Sequence, residues 1–151
     1  MTIKVFDDVL SKDLLEFINK EISIMQWQLH NSTPDTPTNF FNCITSSYLS
    51  HQFLFDLFIK KYSLSNKLLR SYVNCYPPGS EGSVHFDDGD FTFLFFPDSW
   101  YNKYKGRLLF EEDEIDYKEN RLVIFNTELG HKAEINKSNK MRHSIAWKTL
   151  K

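Results

Sequence analysis

The sequence predicts an α+β domain that is mainly β, with short strands folded as a jelly roll or sandwich. Aromatic residues make up 16% of the chain, including 14 Phe and 7 Tyr, as is typical of a β-rich core. Helical patterns are confined to the first 69 residues, and from Arg70 onward short β-like segments alternate with turn residues. Because helices precede strands instead of alternating with them, a parallel sheet is not expected.

Length and charge narrow the class of protein further. We expect 1–151 to form a single domain, with 1–69 as a helical lead-in and 70–151 as the β core. The net charge of −2 gives no overall basic surface, which disfavours non-specific nucleic-acid binding. The two cysteines, Cys43 and Cys75, are too few for a disulfide scaffold. With no apolar signal or membrane-length segment, we expect a soluble, cytoplasmic protein.

The first half of the chain predicts one strand and two helices. Ile3 to Phe6 is a short strand, after which Ser11 caps a helix that ends near Ile24. The stretch 31–39 is rich in turn residues and predicts an exposed loop. The segment 47–62 predicts a second helix packed on a sheet. The apolar face of the first helix consists of Leu14, Leu15, Ile18, Ile22 and Met25.

The second half predicts seven strands, each bounded by turn residues. They cover 71–76, 83–86, 91–96, 107–110, 121–125, 131–135 and 142–149. The connection 97–105 mixes aromatic residues with lysines, so it is a candidate border of a substrate entrance. Trp100, Tyr101 and the strand-opening Arg107 are therefore predicted as substrate contacts.

His85 and Asp87 form the main chemical motif. Residues two apart on a strand project to the same side, so both can bind one metal ion, and His131 on a later strand can complete the set. Two histidines and one carboxylate leave neighbouring coordination positions open, as non-haem Fe(II) oxygenases require. Asp88 would face away from His85, and Asp88-Gly89-Asp90 is predicted to be a turn.

Arg142 opens the last predicted strand and is the candidate anchor for a dicarboxylic cosubstrate. Its planar guanidinium can pair with a carboxylate through two parallel hydrogen bonds. Ser144 shares its strand face, and Asn74 and Tyr76 share one face of the strand before the metal motif. His143 and Trp147 lie on the opposite face, so they are assigned to packing or surface.

Together these motifs resemble the 2-oxoglutarate- and Fe(II)-dependent oxygenases. The likeness is nearest to the prolyl-4-hydroxylase-like branch and its compact versions encoded by bacteriophages, and it covers Arg70 to the C-terminus. The motifs that carry it are Asn74-Cys75-Tyr76-Pro77-Pro78-Gly79, His85-Phe86-Asp87, Phe91 to Phe96, Gly106-Arg107-Leu108-Leu109-Phe110, Asn120 to Phe125, His131 and Arg142-His143-Ser144.

The resemblance implies a double-stranded β-helix, that is, a jelly roll with the N-terminal helices packed on one sheet. It implies Fe(II), 2-oxoglutarate and O2 as cofactor and cosubstrates, with ascorbate among the candidate cofactors. Asp87, in place of a small residue that leaves room for halide, argues against a halogenase. The residues implied are His85, Asp87 and His131 for iron and Arg142, Tyr76, Ser144 and Asn74 for 2-oxoglutarate.

The implied activity is hydroxylation of a protein or peptide side chain, with proline as the first expectation and 2-oxoglutarate converted to succinate. The chain departs from the family at Arg107, where a second glycine is common. Asn74-x-Tyr76 also echoes the AlkB-type nucleic-acid demethylases, but Trp147 and Lys148 occupy the region of their second arginine. That demethylase and a non-catalytic, metal-binding jelly-roll module are the alternatives. The sequence does not predict the oligomeric state. If the protein is encoded by a phage, as the resemblance suggests, its expected location is the cytoplasm of the host.

Overall fold

A computed structural model describes residues 3–31, 39–44 and 49–151. Neither helix in these ranges is long and apolar enough to cross a membrane. The elements are β1 Ile3–Phe6, α1 Lys12–Ser23, β2 Gln28–Asn31, β3 Asn39–Ile44, α2 Leu49–Lys61, β4 Lys67–Tyr76, β5 Phe91–Phe96, β6 Leu108–Phe110, β7 Glu114–Ile115, β8 Arg121–Asn126, β9 His131–Ala133 and β10 Arg142–Leu150, with a short 3₁₀ helix at Asn102–Tyr104.

The strands of the described ranges form two antiparallel sheets. The large sheet has the order β1-β8-β5-β10-β4-β3-β2, and the small sheet has the order β7-β6-β9. Phe96, Leu108, Val123 and Phe125 come from both sheets and form one apolar cluster between them. The sequence-based prediction of a mainly β α+β fold is therefore confirmed.

The N-terminal helices cover the other face of the large sheet and build the main core. The Ser11 side chain accepts a hydrogen bond from the Leu14 backbone N–H at 3.4 Å, which caps α1 as predicted. Ile18 of α1 and Trp147 of β10 are both fully buried in this core. The Trp147 indole N–H also donates to the His51 carbonyl at 2.9 Å, which ties the sheet to α2. The predicted helical face is thus the packing face.

Several strands differ from the sequence-based expectation. β2 and β3 were not predicted: β3 depends on pairing with the distant β4, and β2, whose sequence is mostly polar, depends on pairing with β3. The predicted strand 83–86 is wrong, since only the bridge between His85 and His131 is regular there. β7 was also missed, and β9 is shorter than predicted. Residues 32–38 of the predicted loop and residues 47–48 of the predicted second helix lie outside the described residues.

Asp98, just after β5, fixes the beginning of β10. Its carboxylate accepts hydrogen bonds from the His143 backbone N–H at 2.6 Å and from its ring Nδ1 at 3.0 Å. The Tyr117 hydroxyl donates to the His143 carbonyl at 2.5 Å. Burial lowers the pKa of His143, but Asp98 and Cys75 outweigh that effect and raise the pKa to about 9. His143 therefore contributes to packing, on the opposite face from Arg142, as the alternation predicted.

We predict that Ile18→Ala lowers the free energy of unfolding by about 3 kcal/mol, because Ile18 is completely buried and alanine leaves a cavity. Ile24→Ala is the matched control, since Ile24 is 75% exposed. It should change the free energy of unfolding by less than about 0.5 kcal/mol. Urea unfolding of both variants measures the difference, and equal losses would contradict the proposed core.

We also predict a stability change at alkaline pH that depends on His143. The folded-state pKa of about 9 exceeds the ordinary value of 6.5, so this stabilisation is complete below pH 6.5 and is lost as the pH rises through 9. The loss is at most about 3 kcal/mol. The difference in unfolding free energy between wild type and His143→Gln should shrink across this window, and Asp98→Asn should flatten the profile similarly. Parallel profiles would contradict the ion pair.

Candidate metal centre and its pocket

The structure brings His85, Asp87 and His131 together at one end of the small sheet. The backbones of His85 and His131 exchange two hydrogen bonds of 3.0 Å, which holds the two segments side by side. The His85 Nε2 lies 3.5 Å from Asp87 Oδ1, and the His131 Nε2 lies 3.4 Å from Asp87 Oδ2. All three candidate ligand atoms are within 4.8 Å of one another, so one ion can contact all of them.

Both imidazole rings are oriented by backbone carbonyls. The Nδ1 atoms of His85 and His131 lie 3.0 Å from the Ser83 carbonyl and 2.9 Å from the Leu129 carbonyl. Donation from Nδ1 leaves the Nε2 lone pair free to bind a metal. Burial is the largest influence on His131 and lowers its pKa to about 4, so the ring is neutral near pH 7. A donor set of two imidazoles and one carboxylate suits a first-row divalent cation such as Fe(II).

Asp87, not its neighbour Asp88, faces this site. The Asp87 Oδ2 accepts a 2.6 Å hydrogen bond from the Thr92 hydroxyl and contacts the Lys148 ammonium. Burial acts to raise the pKa of Asp87, but His85 and Lys148 outweigh it and keep the carboxyl well below its usual range. Asp88 instead forms a surface ion pair of 2.6 Å with Arg70. Asp87 is thus the charged carboxylate available to a metal.

Lys148 is a site residue that the sequence analysis did not assign. Its side chain is only 2% exposed, and its ammonium also lies 3.1 Å from the Thr92 hydroxyl and 5.4 Å from the centre of the Tyr72 ring. The signal was its spacing on β10, because residues 142, 144, 146 and 148 all share one strand face. Lys148 balances the negative charge of Asp87 inside the protein.

Arg142 is buried in the same pocket, with 3% of the residue exposed. Its Nη1 donates to the carbonyls of Gly106 at 2.5 Å and Glu134 at 3.1 Å, and the guanidinium lies 4.7 Å from the centre of the Tyr76 ring. Gly106 has φ +84°, and a Cβ there would come within 2.6 Å of Nη1, so this close approach requires glycine. Among the described residues, Nε and Nη2 of Arg142 make no hydrogen bond, since both of its hydrogen bonds come from Nη1. That edge of the guanidinium is available to a carboxylate.

The pocket lies between the two sheets and is lined by alternate residues of the central strands. Arg142 and Ser144 of β10 lie opposite Tyr76 and Asn74 of β4, and all four line it. The residues that complete the lining are Tyr72, His85, Thr92, Leu94, Phe96, Gly106, Arg107, Leu108, Tyr117, His131, Ala133, Ala146 and Lys148. The predicted 2-oxoglutarate residues therefore share one cavity with both histidines.

The three residues predicted as substrate contacts have different surroundings. Tyr101 is 60% exposed, and neither it nor Trp100 is among the described residues that line the pocket. The Trp100 indole donates to the Lys105 carbonyl at 2.7 Å and packs beside Tyr117. Arg107 lines the pocket, but Glu134, whose oxygens lie 2.8 Å from it, and Glu114 already bind its guanidinium. Trp100 packs behind Gly106, and the assignment of these three residues to the substrate stays a prediction.

Comparisons with known proteins support the fold. No protein-family model and no curated protein matches the sequence. Among solved structures, a Trichoplax adhaerens prolyl hydroxylase in complex with a hypoxia inducible factor peptide fragment has a TM-score of 0.74 at 16% identity, covering 96% of this chain and 82% of that one. A viral collagen prolyl hydroxylase from Paramecium bursaria Chlorella virus-1, in its 2-oxoglutarate complex, has a TM-score of 0.72 at 14% identity, covering 97% and 95%.

A third similar structure is HygX of Streptomyces hygroscopicus with nickel, 2-oxoglutarate and hygromycin B bound. It has a TM-score of 0.73 at 11% identity, covering 96% of this chain and 81% of that one. The chain has the fold of the 2-oxoglutarate- and Fe(II)-dependent oxygenases. The predicted double-stranded β-helix is therefore confirmed. Because the similar structures hold different molecules, the fold alone does not identify a substrate.

We predict that Lys148→Met lowers the stability of the chelator-treated protein by about 3 kcal/mol, because Asp87 then stays buried without its cation. Methionine keeps most of the apolar stem. Added Mn(II) should raise the melting temperature more in this variant than in wild type, since the ion replaces the missing positive charge. Lys137→Met, at an exposed lysine, is the control. Equal melting temperatures for the two variants in chelator would contradict the pairing.

Proposed function

We propose that this protein is an Fe(II)- and 2-oxoglutarate-dependent dioxygenase that hydroxylates a protein side chain, with proline as the first candidate. One observation carries the proposal: His85 and His131, which cluster with Asp87, line the same pocket as Arg142, a buried arginine whose outer edge is free. The sequence-based assignments of His85, Asp87 and His131 to the metal and Arg142 to 2-oxoglutarate are retained as part of it.

Each residue has a defined task in this proposal. His85 and His131 would hold iron through Nε2, and Asp87 would hold it through a carboxylate oxygen. When bound, iron supplies the activation of O2 that is coupled to conversion of 2-oxoglutarate to succinate. Arg142 would bind the distal carboxylate of 2-oxoglutarate through Nε and Nη2, with Ser144, Tyr76 and Asn74 as candidate hydrogen-bonding partners. Because these residues lie between Asn74 and Ser144, we place the catalytic core within 70–151.

The apolar walls of the pocket support this chemistry. Leu94, Phe96, Leu108 and Ala146 form apolar walls, so little water competes with Arg142 for a carboxylate. Burial lowers the pKa of Arg142, yet a guanidinium remains charged at neutral pH. The centre is open on the side of His85, because the His85 side chain is 40% exposed and the His131 side chain is only 6% exposed. A substrate side chain would approach from the His85 side.

A protein substrate is favoured over a nucleic acid. Two of the similar solved structures are prolyl hydroxylases, and one of them holds a peptide. The chain has a net charge of −2, which gives no general attraction for a phosphate backbone. These observations support a peptide or protein substrate and disfavour the AlkB-like alternative.

The test is succinate formation from 2-oxoglutarate by anaerobically iron-loaded protein after O2 is admitted, with and without proline-rich peptides. We predict turnover in wild type and a loss of at least about 100-fold in His131→Ala, because the metal loses a ligand. Arg142→Ala should lose a similar factor, because the distal carboxylate loses its cation. Arg70→Ala is the matched arginine control, since Arg70 pairs with Asp88 at the surface.

Turnover that is lost in both site variants and kept in Arg70→Ala would support the oxygenase. Equal turnover in all four proteins would contradict it. No turnover in wild type, with Mn(II) and 2-oxoglutarate both bound, would instead favour the non-catalytic binding module.

A further inference from the structure

A second groove lies outside the pocket, where β6 ends and β9 begins, beside the edge strand β1. Its volume is about 1120 Å³, and its lining includes Val5 of β1, Phe110 of β6 and His131 of β9. His131 lines both cavities, so this groove adjoins the metal centre from the outside. The proposed binding of metal and 2-oxoglutarate does not use this groove.

The floor of the groove is apolar and exposed. Val84 is 65% exposed, Phe86 is 68% exposed and Val5 is 41% exposed. Phe86 lies between two candidate metal ligands but points away from them, and its ring packs on Gly130, where an added Cβ would meet it at 3.1 Å. Contiguous exposed apolar side chains of this kind mark interaction surfaces more often than isolated ones do.

The rim of the groove is strongly acidic. Glu111, Glu112, Asp113 and Glu128 are all exposed and all line it. Among the described residues, none of these four carboxylates has an ion-pair partner. The lining contributes one cation, Lys132, whose ammonium lies 3.4 Å from Glu81. The groove therefore combines an apolar floor with unneutralised negative charge.

We infer that this groove binds an extended, basic and apolar segment of the protein substrate. An extended chain alternates its side chains, so apolar residues can lie on Val84 and Phe86 while lysines or arginines reach the acidic rim. Val84 and Phe86 are the chain neighbours of His85, so the bound segment lies next to the open side of the proposed centre. The inference rests on the proposed function for its substrate, but peptide binding can be measured without turnover.

The test uses the full chain in chelator and a fluorescein-labelled peptide that alternates lysine with leucine around one proline. Fluorescence anisotropy gives its Kd, and the same peptide with glutamate for lysine is the reference. We expect the basic peptide to bind at least tenfold more tightly and to weaken as salt is added. Glu111→Lys/Glu112→Lys should weaken its binding by about tenfold.

Glu16→Lys/Asp56→Lys is the matched control, because it makes the same change in net charge on the two helices. It should leave the Kd within about twofold of wild type. Val5→Ser tests the floor and should weaken both peptides. Equal weakening by the two double variants would show a general charge effect and overturn the inference, as would equal binding of the two peptides.

The outcomes also separate this inference from the proposed function. Binding that depends on the groove, in a protein that makes no succinate, would leave the docking surface in place and reject the oxygenase. Turnover with peptides of either charge, unaffected by Glu111→Lys/Glu112→Lys, would reject the groove and keep the oxygenase.

Discussion

The pairing of β10 with β4 in the middle of the large sheet is the constraint on which the site depends. Its register places Arg142 opposite Tyr76 and Ser144 opposite Asn74, and alternation then carries Lys148 into the same pocket. A slip of one residue would turn all of these side chains toward the helices and bring His143 and Trp147 inside. The buried indole of Trp147 and the carboxylate of Asp98, which binds His143, stabilise the observed register from the other face. One face of β10 therefore packs in the core, and its other face lines the site.

Charge inside the pocket follows from the same arrangement. Asp87, Lys148 and Arg142 are all nearly buried, and burying unpaired charges is expensive. Asp87 and Lys148 compensate each other, whereas Arg142 is held by two carbonyls and by aromatic faces. Its remaining donors point to a ligand with negative charge, because a stabilising core would use apolar residues of similar volume at lower cost. The buried positive charge of Arg142, which has donors left over, is the physical reason for assigning the pocket a dicarboxylic cosubstrate. It supports the oxygenase proposal independently of the fold.

The sequence predicted those features that depend on local periodicity. The Ser11 cap and the helical spacing around Ile18 predicted α1, and the β-rich segments 91–96, 121–125 and 142–149, each bounded by turn residues, predicted the central strands. The predicted strand at 83–86 was wrong, yet His85 and Asp87 still converge, because His85 is bridged to His131 while Thr92 and Lys148 hold the Asp87 carboxylate. The strand β3 was missed because its partner β4 is distant in the chain, and β2 was missed because it depends in turn on β3. Lys148 was missed for a similar reason: a lysine on a strand is ordinarily exposed, and only the positions of Asp87 and Thr92 show that its charge is buried.

The central claim is that one pocket holds both a divalent metal and 2-oxoglutarate. A crystal structure of the protein grown with Mn(II) and 2-oxoglutarate, with anomalous diffraction recorded for manganese, tests it most directly. We expect one anomalous peak bounded by the Nε2 atoms of His85 and His131 and a carboxylate oxygen of Asp87. We also expect the distal carboxylate of 2-oxoglutarate to contact Arg142. A metal bound elsewhere, or an ordered 2-oxoglutarate that does not touch Arg142, would contradict it.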